Sequence, residues 1–128
     1  MIVDTSALVA VIKDEPESKR CRTSLYTADV ISMSAANLLE AFSVIDRMDD
    51  PLATENFQIL LIEAAIQIEP VTEAQIYIAR EAFARFGRGR HPAKLNFGDC
   101  FAYALSRETG EPLLFVGNDF SQTDIGIA

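Results

Sequence analysis

Short apolar runs alternate along this chain with longer segments whose apolar residues return every three or four positions. Ile2 and Val3 predict a buried strand that stops at Asp4, and the apolar segment 7–12 predicts a helix capped by Thr5 or Ser6. Pro16 opens a polar, amphipathic segment over 17–26. Residues 30–33, Val-Ile-Ser-Met, read as a second strand ended by Ser34, which fits the N-cap of the next helix. Leu38, Leu39, Phe42 and Ile45 lie at helical spacing in a helix over 35–48 that stops before Asp49-Asp50-Pro51. Phe57, Leu60, Leu61 and Ala64 stripe a helix over 52–65, and a strand over 66–68 precedes Pro70. Thr72 and Gln75 fit a capping box for a helix with Ile76, Ala79, Ala82, Phe83 and Phe86 on its apolar side, ending at Gly87. Residues 88–95 form a loop with Gly and Pro punctuation, a helix over 97–108 ends at Gly110, and 113–116 is the last strand.

Strands alternating with helices predict an α/β fold: a short central parallel sheet with helices on both faces, three layers α/β/α in one domain over 1–128. Ligands of such sheets bind at the carboxyl ends of the strands, where Asp4 and Asp119 fall. The 49% apolar and 23% charged residues are globular values and exclude disorder, collagen-like repeats and coiled coil. Eleven Lys plus Arg against nineteen Asp plus Glu give a net charge of −8, which repels phosphate and excludes a charge-driven nucleic-acid coat. An enzyme acting on nucleic acid stays compatible, provided its acids gather at a metal site with bases beside it. Two cysteines, Cys21 and Cys100, are too few for a disulfide framework, and Asp4 breaks the first apolar run, so no secretory leader is expected. The expectation is a reducing, cytoplasmic setting, with no apolar stretch near the roughly 20 residues that span a bilayer.

With so many acids, each candidate needs a local reason. Asp4 stands between apolar Ile2-Val3 and Ala7-Leu8-Val9, near the core; its plainer reading is a helix cap, and the two roles are compatible. Glu40 shares a narrow polar stripe with Asn37 and Ser43 on an otherwise apolar helix, where simple exposure is the alternative. Asp99 is a poor helix former set among buried residue types, unless it only answers the helix dipole. Asp119 follows the last strand, where an Asx turn would also explain it. A parallel sheet can gather all four at one end. Packed carboxylates repel, and a hard divalent cation such as Mg²⁺ or Mn²⁺ is what holds them together, whereas a structural zinc site would want Cys or His. Such a site suits phosphodiester hydrolysis. Ser6 is placed to hydrogen-bond a carboxylate or a metal-bound water. Arg85, Arg88, Arg90 and Lys94 put four positive charges in a stretch with no acid between 82 and 98, either a grip for a substrate backbone or a solvated loop. His91 reads as a solvent-exposed side chain, and Cys100, Tyr103 and the Phe residues of their helix as core.

The segments Met1-Ile2-Val3-Asp4-Thr5-Ser6-Ala7-Leu8, Glu40 in mid-helix, Asn96-Phe97-Gly98-Asp99-Cys100 and Leu114-Phe115-Val116-Gly117-Asn118-Asp119-Phe120, with Thr123-Asp124 behind, carry a resemblance. In this order and spacing the chain resembles PIN-domain proteins of the VapC kind, the toxin half of a type II toxin–antitoxin pair, over nearly its whole length. The resemblance implies a Mg²⁺- or Mn²⁺-dependent endoribonuclease with Asp4, Glu40 and Asp99 in the acidic pocket and Asp119 as the fourth acid. Where the family carries two adjacent acids, this chain has Asn118 before Asp119, and Asp124 is the alternative fourth ligand. The resemblance also implies a homodimer held inactive by a cognate antitoxin, whose basic residue would meet the acidic pocket. Two other readings are a PIN-like scaffold that binds a partner without cleavage, and a phospho-acceptor receiver module, against which the 113–119 segment offers no lysine.

Overall fold

Ile2–Val3 (β1), Ser32–Ser34 (β2), Gln67–Glu69 (β3) and Leu113–Leu114 (β4) form one sheet in the order β3-β2-β1-β4, in a computed structural model that describes residues 1–128. Every pairing is parallel, with Ile2 opposite Leu113 and Val3 opposite Leu114. Because successive side chains of a strand point to opposite faces, this register sends Ile2 and Leu113 to one side and Val3 and Leu114 to the other. Each side has its own core. Val3 and Leu114 pack with α1 (Thr5–Ile12), α2 (Ser18–Thr27), α3 (Ala35–Asp46) and α4 (Pro51–Glu63), around buried Leu8, Met33, Ile45 and Phe57. Ile2 and Leu113 pack with α5 (Glu73–Phe86) and α6 (Phe97–Thr109), around Ala82, Phe86, Tyr103 and Leu105. Full burial of side chains of this size contributes about 1.5–3 kcal/mol each, so the two helical layers hold a sheet whose strands are only two or three residues long. The three-layer α/β/α expectation holds.

Several boundaries differ from the sequence reading. The cap of α1 is Asp4, whose side chain accepts from the Ser6 amide, and not Thr5 or Ser6. The second strand starts two residues late, at Ser32, with Val30 exposed, and the third covers Gln67–Glu69. The last strand ends at Leu114 because the Val116 amide leaves the ladder to donate to Ser6 Oγ, and Gly117 turns the chain at φ 102°. Ser34 does cap α3. The Thr72–Gln75 box closes on one side only: Thr72 accepts from the Gln75 amide, while the Gln75 side chain donates to Glu108. Leu39 on α3 and Ile76 and Phe83 on α5 face outward rather than into the core. No helix is long and apolar enough to cross a membrane.

Candidate active site

The helix that leads into a strand must begin at the edge where the parallel strands end. That places the start of α6 beside the end of β1, and Asp99 beside Asp4. A cleft of about 250 Å³ opens there, lined by Asp4, Ser6, Glu40, Asn96, Asp99 and Asp119 among others. Asp124, the alternative fourth acid, lies elsewhere: its carboxylate accepts from Tyr103 Oη at 2.7 Å and pairs with Arg85 at 3.5 Å and Arg107 at 3.8 Å.

Asp4 is 3% exposed. Its Oδ2 accepts from the Ser6 amide at 3.0 Å and from Ser6 Oγ at 2.6 Å, so the cap and pocket roles share one carboxylate. Ser6 Oγ in turn accepts from the Val116 amide, tying the carboxylate to the end of β4. Oδ1 is buried with no hydrogen-bond partner. Burial pushes the Asp4 carboxyl above its ordinary value of 3.8, against the lowering effect of the Ser6 bonds, and the negative Glu40 adds to the rise.

Asp99 closes a capping box at the head of α6: Asn96 Oδ1 accepts from the Asp99 amide at 2.9 Å, and Asp99 Oδ2 accepts from the Asn96 amide at 2.8 Å. Even so, burial pushes its carboxyl up to about 7, opposed by the Asn96 bond and reinforced by the charges of Asp4, Asp119 and Glu40. Glu40 Oε1 accepts from Asn37 Nδ2 at 3.2 Å. A Cβ on Gly98 would collide with Glu40 Oε2, so glycine lets the carboxylate lie against the head of α6 in this pose. Asp119 is exposed, in the loop after β4.

The donors are all oxygens, which fits Mg²⁺ or Mn²⁺, and the unpaired Asp4 Oδ1 is a buried acceptor that a cation would satisfy. As placed, no three His, Cys, Asp or Glu side chains form a group that could hold an ion.

The basic segment divides. Arg85 is committed to Asp124 and lies over the Phe86 ring at 4.6 Å, on the Tyr103 side of α6 and not in the acidic cleft. Arg88, Arg90 and Lys94 are exposed and make no ion pair, and Lys94, at φ 55°, stands two residues before Asn96 of the cleft. His91 is half-buried rather than solvated: its Nδ1 accepts from the Ala93 amide and its ring meets Phe86 edge-on. Cys100 and Tyr103 are buried, as expected, with burial raising the Cys100 thiol to about 11, and Cys21 is buried as well. Phe97 departs from its core assignment, being 79% exposed beside an apolar groove that also takes in Ile76, Phe83 and Phe101. Asn37 and Gly98, which touch Glu40 most closely, escape the sequence reading as site residues. A glycine in the first turn of a helix, where alanine would be favoured by up to about 1 kcal/mol, is the available signal.

The PIN domain family profile matches residues 1–126. Ribonuclease VapC28 of Mycobacterium tuberculosis is 48% identical over 126 residues, covering 98% of this chain and 95% of its own, and ribonuclease VapC30 of the same organism is 43% identical over the same span. Among solved structures, M. tuberculosis VapC20, described as a sarcin-ricin loop cleaving toxin, superposes with a TM-score of 0.78 at 18% identity, covering 99% of this chain and 97% of the other. A toxin–antitoxin complex from Klebsiella pneumoniae superposes at 0.74 with 12% identity over 99% and 95% of the two chains. A profile match across almost every residue, together with relatives nearly half identical, establishes that the chain belongs to the PIN-domain family.

Proposed function

We propose that this protein is a Mg²⁺- or Mn²⁺-dependent endoribonuclease and the toxin of a type II toxin–antitoxin pair, acting in the cytoplasm. Family membership removes the phospho-acceptor reading. The observation that carries the proposal is a buried, unpaired Asp4 oxygen across a cleft from an Asp99 carboxyl raised to about 7, an arrangement that a divalent cation would relieve. In this reading Asp4 and Asp99 hold the cation, and Glu40 and Asp119 complete its shell or orient the attacking water. A cation bound there would supply water activation and neutralise charge on the scissile phosphate. Ser6 contributes by holding Asp4 Oδ2, which leaves Oδ1 as the oxygen without a partner. Arg88, Arg90 and Lys94 grip the RNA backbone, while Arg85 keeps to its structural pair.

The antitoxin is a protein with a basic residue that enters the acidic cleft, drawn by the net charge of −8. The solved neighbours include toxin–antitoxin complexes, which supports a partner of this kind. A homodimer is proposed through the exposed apolar ridge of Leu39, Phe83 and Phe97, which adjoins the cleft through Glu40. The exposed Leu52, Ile59 and Ile62 of α4 offer a second apolar face for the same contact.

The deciding experiment is cleavage of total cellular RNA by the purified protein with Mg²⁺, Mn²⁺ or EDTA, beside Asp99→Asn. Discrete cuts that need both the metal and Asp99 support the proposal. No cuts by folded, antitoxin-free protein under any metal would favour a PIN scaffold that binds without cleaving, and equal cutting by Asp99→Asn would sink the site assignment.

A further inference from the structure

Asn37 lies three residues before Glu40 on α3 and is wholly buried, at 0% exposure. Its Nδ2 donates both to Glu40 Oε1 at 3.2 Å and to the Gly98 carbonyl at 2.9 Å, across to the first turn of α6. Its backbone carbonyl accepts from Thr5 Oγ1 at 3.1 Å. Thr5 directly follows Asp4 and Gly98 directly precedes Asp99, so this one residue bonds to all three elements that carry the buried end of the cleft.

Chemistry fixes which way the amide points. Two acceptors, Glu40 Oε1 and the Gly98 carbonyl, can be met only by the NH₂ end, which leaves Oδ1 over. That oxygen is buried and has no donor. An orphaned buried acceptor works against folding, and an apolar side chain of similar volume would avoid it. What the amide does supply is a fixed geometry for Glu40. Asn37 holds Oε1, while Oε2 is pressed so close to Gly98 that it fills the space a Cβ there would need.

We infer that Asn37 is a positioning residue, whose amide clamps the Glu40 carboxylate against Gly98 so that Glu40 faces the same site as Asp4 and Asp99. The inference rests on the proposed metal-dependent reading of the cleft and assigns the placing of Glu40 to a neutral side chain outside the acidic set. Without the amide, Glu40 keeps its charge but loses its fixed orientation, so the cation is held less tightly and turnover falls, while RNA contacts made elsewhere persist.

The test is a double-mutant cycle on the purified full chain, read by calorimetric titration with Mn²⁺ alone, with RNA kinetics and thermal unfolding alongside. Asn37→Leu is expected to weaken Mn²⁺ binding about 10- to 100-fold and to lower kcat in proportion, with KM for RNA unchanged and folding retained. In the Glu40→Gln background the same substitution is expected to change Mn²⁺ affinity by less than about twofold, because the amide acts through that carboxylate. Asn37→Ser, which keeps one donor, is expected to fall between. Wild-type Mn²⁺ affinity and kcat in folded Asn37→Leu overturn the inference alone, as does an equal loss with and without the Glu40 carboxylate. Unfolding of both Asn37→Leu and Asn37→Ser overturns it too, by making the residue structural. A wild-type protein that binds no Mn²⁺ overturns the metal reading of the cleft and this inference with it.

Discussion

Asp99 sits in the first turn of α6, and one turn further along Tyr103 reaches Asp124; the two aspartates live in opposite electrostatic worlds. Asp124 receives a hydrogen bond from Tyr103, which lowers its pKa most, and the guanidinium groups of Arg107 and Arg85 lower it further. Asp99 is buried among Asp4, Asp119 and Glu40, and its carboxyl rises to about 7. The same side chain is therefore a finished structural contact in one place and an unanswered charge in the other. Both are candidate acids by sequence, and only the three-dimensional pairing separates them. Where the protein supplies its own counter-charge the site is complete, and where it withholds one, something from solution must bring it.

Substituting the unanswered acid breaks the contrast most directly. Asp99→Asn keeps an oxygen to accept from the Asn96 amide while removing a repelled charge. RNA cleavage is expected to fall by about a thousandfold or more, and thermal unfolding at pH 7 to move upward, without metal. Activity near the wild-type level would show that the contrast has no bearing on chemistry.

The raised Asp99 pKa also sets a pH dependence. Between its ordinary 3.8 and about 7 the folded chain keeps a proton that the unfolded chain has released, so stability without metal declines as pH rises through this window. A divalent cation competes with that proton. Mn²⁺ affinity is expected to climb at least about tenfold per pH unit up to about 7, with the slope reduced in Asp99→Asn and the remainder owed to Asp4, as calorimetry across pH would report.

The bases divide along the same line as the acids. Replacing Arg88, Arg90 and Lys94 together by Gln is expected to raise KM for RNA about tenfold and to flatten its salt dependence, as for lost phosphate contacts. Arg85→Gln, removing a base already paired with Asp124, is expected to change KM less than about twofold. Kinetics at several salt concentrations distinguish the two. The smallest effect belongs to the completed contact: Asp124→Asn is expected to leave cleavage within about twofold and to cost at most about 1 kcal/mol of stability by thermal unfolding, since its arginine partners are exposed and the asparagine oxygen still accepts from Tyr103.

Much of this arrangement is local in origin and legible in the chain. Ile2-Val3 before Asp4, and an aspartate among Cys100, Phe101 and Ala102, each set a charge against apolar neighbours, and parallel strands bring such places to one edge. The remainder depends on contacts between distant segments. Nothing near Asp124 announces Arg85 or Arg107, and Phe97 carries the same sequence signal as its buried neighbours although α6 turns it outward. The last strand is shorter than its apolar run because Val116 gives its amide to a serine at the other end of the chain. Asn37 is visible as part of a polar stripe, yet its bond to Gly98 exists only once α3 and α6 meet.

That meeting has a consequence for how such sequences can drift. Position 98 accepts a side chain only when the mobile end of Glu40 swings off it, since the space for one is taken by the other. A side chain at position 98 and the observed pose of Glu40 exclude each other: Gly98→Ala turns the carboxylate away from the Asn37 amide, and a chain designed for activity on this backbone must choose both together.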